Sequence, residues 1–217
     1  MITKHTYKNL VWIDVEKPLH NELYRLEEEY RLPSHTKHVC AGIVPLQKVE
    51  IHTNENVIFF SLLFPIENNL HLIFFVVGPS FLITTHQSHL KSMTNFSHMF
   101  EKNGFFDTRN VSDTPPAVLS HLIETLYQGI VIRPENTRAV EKGILPHQEI
   151  IRFLESHIPK ASELFETLLH QLNLLHINAE HMQRNLKSYE LEYFKSRATL
   201  FMILFVITLA LLIINVI

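Results

Sequence analysis

The chain has 217 residues, 46% of them hydrophobic and 19% charged, and a mean hydropathy just above zero, too apolar for an ordinary small soluble protein. Nineteen Lys and Arg against 22 Asp and Glu give a formal charge of −3 with the basic residues scattered, which excludes the basic footprint of a nucleic-acid binder. A single cysteine, Cys40, excludes an internal disulfide and a cysteine-built zinc site, and points to a reducing compartment.

Met1 to Val15 carries charges and no long apolar core, so it is not a secretory signal. Residues 9–15 (NLVWIDV) alternate, with β-branched and aromatic content, and predict a strand. Asp14 to Pro18 then lead into LHNELYRLEEEY, where Leu19, Leu23, Leu26 and Tyr30 recur at helical spacing. Asp14 and Glu16, between strand and helix, are expected to act as a cap. Four short runs follow: KVEIHT, NVIFFSLLF, HLIFFVV and SFLITTH, separated by turns such as Glu67-Asn68-Asn69 and Gly78-Pro79. They predict a mostly antiparallel sheet. His89 to Phe100 and Pro116 to Tyr127 return to helical spacing, the second entered through Asp113, Thr114 and paired prolines. Residues 1–130 are therefore expected to form a cytoplasmic α/β (α+β) domain with a mixed, largely antiparallel sheet and flanking helices.

Residues 131–160 are cut by Pro134, Gly143, Pro146 and Pro159 and predict a connector of short helices. Residues 161–197 hold the clearest pattern in the chain. Ala161, Phe165, Leu168, Leu172, Leu175, Ala179, Met182, Leu186, Tyr189 and Tyr193 alternate spacings of four and three, a heptad seam on a stalk helix of about 58 Å. Such a seam needs a neighbouring helix of the same chain, other subunits, or both. With only short helices expected in the connector, subunits are the expected partners. Leu168, Leu172, Leu175, Met182, Leu186, Tyr189 and Tyr193 are the candidate stalk residues. Met182, Tyr189 and Tyr193 would line a lumen if several stalks enclose one.

Residues 198–217 (ATLFMILFVITLALLIINVI) are uncharged, and twenty residues at helical rise span about 30 Å, a bilayer's hydrocarbon core. One transmembrane helix is expected, with membrane lipid around it. Arg184, Lys187, Lys195 and Arg197 outnumber Glu190 and Glu192 before the span, so the N-terminal domain is expected on the cytoplasmic side of an inner or plasma membrane, in a single-pass topology.

Catalytic and metal patterns are weak. His86 and His89, and His176, Glu180 and His181, are close in sequence without forming an HExxH or Cys/His set. The run Glu27-Glu28-Glu29 fits a solvated helix end. Cys40 neighbours His38 in sequence, but no nucleophile elbow, Walker loop or GxGxxG occurs. The expectation is no enzyme, with metal ligands unassigned.

WIDVEKPLHNELYRLEEEYRLP (Trp12 to Pro33) resembles the opening of the cytoplasmic domain of the CorA-type magnesium and divalent-cation transporter family. Phe81-Leu82-Ile83-Thr84-Thr85-His86 is similar to that family's "fLITvH" strand signature. Pro115 to Gln128 resembles the helix after it, and the heptad helix running into an apolar segment resembles the family's stalk and first transmembrane helix. The resemblance implies a homopentamer around an ion pore, with Mg²⁺ as transported or regulatory ion and no tightly bound cofactor. The family's pore entrance is a Gly-Met-Asn motif after the first membrane helix, and none of the 217 residues forms it. The expectation is a short member, lacking that motif and the second membrane helix, with reduced or partner-dependent ion transport. Full-length CorA-type subunits are then candidate partners. Asn215 is the one amide near the far face able to stand in for the missing asparagine. The alternative is a non-conducting membrane-anchored scaffold or regulatory subunit.

Overall fold

The computed structural model describes residues 1–33, 40, 50–52, 56–66, 69–101, 113–133, 136–158 and 162–216, with side chains described except at 50–52, 138–139, 141–145 and 203–216. Six strands form one sheet: β1 (Ile2–Tyr7), β2 (Leu10–Glu16), β3 (Glu50–His52), β4 (Val57–Ile66), β5 (Asn69–Val77) and β6 (Phe81–His86). Their order is β1-β2-β6-β5-β4-β3. Only β2 and β6 pair in parallel, and the other neighbours are antiparallel. The helices are α1 (His20–Glu29), α2 (Lys91–Glu101), α3 (Pro115–Gln128), α4 (Thr137–His157) and α5 (Ser162–Val216).

Strand periodicity divides the core between the two sheet faces. Leu10, Trp12, Phe60, Phe64, Phe75 and Leu82 face α2 to α5. Ile13, Val15, Phe59, Val76 and Ile83 face the other way, onto Leu23 and Leu26 of α1. With both faces covered, β4 and β5 read as nearly unbroken apolar runs rather than as alternating ones. Phe60 and Phe75, opposite each other in register, stack with ring centroids 4.9 Å apart. Entry to α3 places Pro115 and Pro116 in its first turn, where the missing N–H groups have no helical acceptor to lose.

Two elements differ from the sequence expectation. β1 carries one buried side chain, His5, and its exposed edge gave no apolar signal. The connector of short helices is instead dominated by α4, a 21-residue helix with Pro146 inside it. Pro146 removes one helical hydrogen bond, and packing overrides that cost: Val140, Ile150, Ile151 and Leu154 are buried in the main core. His147, next to the proline, is also buried. Its Nδ1 accepts from the Tyr127 hydroxyl at 3.1 Å, and its Nε2–H donates to the Leu63 carbonyl at 3.1 Å. One ring therefore ties α4 to α3 and to β4. Burial pushes the His147 pKa down to about 4, only partly countered by the Leu63 carbonyl.

This neutral, buried ring makes stability pH-dependent. The unfolded chain protonates His147 below about pH 6.5, whereas the folded chain does not until about pH 4. The contribution is thus present above pH 6.5 and lost as pH falls toward 4, amounting to about 3 kcal/mol at most. His147→Gln keeps a donor and an acceptor without titrating. Thermal melts of the detergent-solubilised chain between pH 7.5 and 4.5 are expected to show a shallower acid loss for this variant than for the unmodified protein.

Candidate functional site

The parallel join of β2 and β6 sets Asp14 opposite Thr84 and Glu16 opposite His86. The indole N–H of Trp12 donates to Thr84 Oγ1 at 3.1 Å, and that hydroxyl donates to Asp14 Oδ1 at 2.6 Å. His86 Nε2 lies 3.2 and 3.3 Å from the two Asp14 oxygens, and its Nδ1 faces the Ser88 carbonyl. Both ring nitrogens face acceptors, an arrangement that favours the doubly protonated ring over either neutral tautomer. Burial by itself favours the neutral ring. The hydrogen bond and charge of Asp14, helped by the Ser88 carbonyl and Glu16, outweigh it and raise the His86 pKa above the usual histidine value. Farther out, His89 Nδ1 lies 2.9 Å from Glu16 Oε2, at the exposed rim.

This arrangement corrects the expected role of Asp14 and Glu16. Neither caps α1, because both are held by histidines of the neighbouring strand and its exit. The α1 cap is supplied by Glu22, whose carboxylate accepts from the Leu19 N–H at 3.0 Å. His86 and His89 go to different carboxylates, Asp14 and Glu16. Among the described residues, no three His, Cys, Asp or Glu side chains converge as a metal site. A cleft of about 250 Å³ opens beside His86, walled by Cys40, Phe74, Thr85 and Gln87. Burial pushes the Cys40 thiol up to about 12, so it stays protonated and unreactive, and His38 lies outside the described residues. Chemically, the cluster is a charge-paired latch at the points where β2 and β6 leave the sheet.

The stalk candidates divide into two groups along α5. Phe165, Leu168, Leu172 and Ala179 are fully buried within the single chain, in the core that also holds Ile150, Ile151 and Leu154 of α4, and Leu175 packs against it partly buried. Met182 and Leu186 are half-buried, whereas Tyr189 and Tyr193 are 72% and 57% exposed. The first part of the seam is therefore covered by α4 of the same chain, where subunits were the favoured of the expected partners. That expectation rested on a connector too short to supply a partner. The side chain of Asn215 lies outside the described residues. Among the described residues, no helix is long and apolar enough to cross a membrane, and α5 continues as unbroken helix through the apolar run to Val216. Thr84 stands in the sequence only as part of the strand signature, with no role of its own, and His147 carries no sequence signal. A Thr two positions before a His in a strand, or a His beside a proline, carries no signal until register and packing are known.

A mixed α/β domain, covered by helices on both faces and carrying a long C-terminal helix, is the class of structure these elements define. A family model described as CorA-like Mg²⁺ transporter protein matches residues 7–133, more than half of the chain, and the chain belongs to that family. The resemblance carried by Trp12 to Pro33 and Phe81 to His86 is thereby borne out. The fold is similar to the soluble domain of CorA from Methanocaldococcus jannaschii, with a TM-score of 0.65 and 15% identity over 83% of this chain and 86% of that one. It is also similar to the complete CorA magnesium transporter from the same organism, with a TM-score of 0.66 and 14% identity over 90% of this chain and 78% of that one. The cytoplasmic domain of ZntB from Vibrio parahaemolyticus aligns with a TM-score of 0.57 and 15% identity over 87% of this chain and 91% of that one. No curated protein sequence matches the chain.

Asp14→Asn tests the latch. Because the His86 pKa is raised, its stabilising contribution is present below about pH 6.5 and lost as pH rises through the folded-state value. Nitrogen-15 NMR of the histidine rings is expected to show one ring titrating above the usual histidine range in the unmodified protein. In Asp14→Asn that ring is expected to titrate lower, with an accompanying stability loss of about 1 to 3 kcal/mol at pH 6.

Proposed function

We propose that this chain is a membrane-anchored, self-associating component of CorA-like metal-ion transport, with Mg²⁺ as the transported or regulatory ion. The observation that carries the reading is the uncovered continuation of α5. Beyond Ala179 the seam residues Met182, Leu186, Tyr189 and Tyr193 lack a full cover in the chain and emerge progressively into solvent. An apolar helical stripe left in water loses about 25 cal/mol for each Å² that a partner would bury. Copies of the same helix, set side by side around a common axis, satisfy it with identical knobs and holes. Membership of the family supports the ion, and a ring of five copies is the arrangement the resemblance favours. Residues 198–216 follow on the same helix and supply a membrane span, with the α/β domain on the cytoplasmic side. The reading gives the domain no catalytic activity, since Cys40 is buried and His86 is committed on both ring nitrogens.

Transport by these 217 residues alone is proposed to be reduced or dependent on a partner, because they hold no Gly-Met-Asn segment to recognise a hydrated cation. The same observation favours a second reading, a non-conducting scaffold or regulatory subunit that joins full-length CorA-type subunits. Leu186→Glu places a charge in the uncovered seam and is expected to weaken self-association by about tenfold or more. Light scattering on the purified chain in detergent reads this out, and a protein that is monomeric at every concentration contradicts the self-association. Mg²⁺ influx into proteoliposomes containing only this chain separates the two readings. Influx lost in Leu186→Glu supports transport by the assembled chain, and no influx from a folded oligomer supports the scaffold.

A further inference from the structure

We propose that the exposed end of α5 carries a binding surface for acidic phospholipid headgroups, a role that rests on the membrane anchoring proposed above. The ion pairs along α5 among the described residues, His176 with Glu180 and Glu180 with Arg184, stop at Arg184. Past that point Lys187, Lys195 and Arg197 are exposed. Helical geometry sorts this segment into two faces. Met182, Leu186, Tyr189 and Tyr193 form the seam, whereas Arg184, Lys187, Leu191, Phe194 and Lys195 fall within about 100° of one another on the opposite side. That outer stripe combines cations with large apolar side chains, Leu191 at 57% and Phe194 at 68% exposure. Arg197 sits between the two faces, with its guanidinium 5.1 Å from the ring centre of Tyr193.

Distance along the axis identifies what this stripe meets. Lys195 and Arg197 precede Ala198, where the apolar run begins, by about 4.5 and 1.5 Å of helix rise. Tyr193 and Phe194 precede it by about 6 to 7.5 Å. A headgroup layer is about 5 to 7 Å deep on each side of the hydrocarbon, so Phe194 and Lys195 of the outer stripe lie at its depth, with Arg197 at the same depth on the edge of the seam. Aromatic rings at that depth bridge apolar and wet surroundings, and cations there face lipid phosphates. Lys187 lies about 16 Å before the run, beyond the layer by about one Debye length, and feels a screened attraction only. The outward face is thus complementary to an acidic leaflet, and the inward seam stays free for other copies. Glu190 and Glu192, which would repel such a leaflet, flank the stripe on its two sides.

The test uses the full chain in neutral detergent, equilibrated with equal amounts of phosphatidylglycerol and phosphatidylcholine of the same acyl length, and counts retained lipids by native mass spectrometry. Each cation near an acidic surface contributes about a fivefold preference. The unmodified chain is expected to retain phosphatidylglycerol over phosphatidylcholine by about fivefold or more, and a Lys195→Gln/Arg197→Gln variant by close to onefold. Lys187→Gln is expected to change the ratio by less than about twofold. An unchanged preference in the double variant overturns the proposal, and so does equal retention by the unmodified chain. Flotation with phosphatidylcholine vesicles distinguishes the two readings. A chain that floats with neutral vesicles but shows no acidic preference keeps its anchor and loses this proposal, whereas a chain that fails to float with vesicles of either lipid overturns both.

Discussion

The apolar stripe of α5 needs cover along its whole length, because large side chains held in water forfeit the main favourable term of folding. Helix α4 supplies that cover only for the first part. Phe165, Leu168 and Leu172 are buried to the last few per cent by the same chain that carries them, and Tyr189 and Tyr193 are open. The helix is 55 residues long, about 80 Å at helical rise, while α4 has 21 residues and about 30 Å. The geometry therefore separates two roles on one helix. Its upper part is the last layer of the domain core, and its lower part is a surface that the chain itself leaves open.

Two buried histidines show how the fold sets charge by the partners it offers. His147 meets one donor and one acceptor, a hydroxyl and a carbonyl, and remains neutral. His86 meets two acceptors, a carboxylate and a carbonyl, and is shifted toward the protonated form. The first fastens α4 to the sheet and to α3, and so fixes where α5 can lie. The second closes the join between the N-terminal hairpin and the β4–β6 meander, where parallel pairing gives no tight turn to hold the strands together. Their stabilising contributions run in opposite directions with pH, and a whole-protein stability profile reports their balance rather than either alone.

Much of this architecture was legible in the sequence, for reasons that differ by element. The strands β4 and β5 stand out because burial on both sheet faces leaves long apolar runs, and helices α2 and α3 because a buried stripe leaves a helical period in the residues themselves. β1 is an edge strand with polar residues on its exposed face, so its period is silent. α4 was hidden by Gly143 and Pro146, local breakers that long-range packing overrides. The heptad on α5 was visible from end to end, but which partner covers each part depends on α4. The latch was illegible because it depends on register: Asp14 faces Thr84 and His86 only once β2 and β6 pair in parallel. Asp14 was visible as a residue between strand and helix, where capping is the commoner role.

The most direct test of the account is the distance between copies at the exposed part of the seam. A nitroxide spin label at Tyr189→Cys, on the full chain in liposomes with Cys40 replaced by Ala, reports it by dipolar coupling. The account predicts strong coupling between labels that disappears when labelled chains are diluted with unlabelled ones. Coupling that is absent at all label fractions, from a chain shown to be folded and inserted, would contradict it.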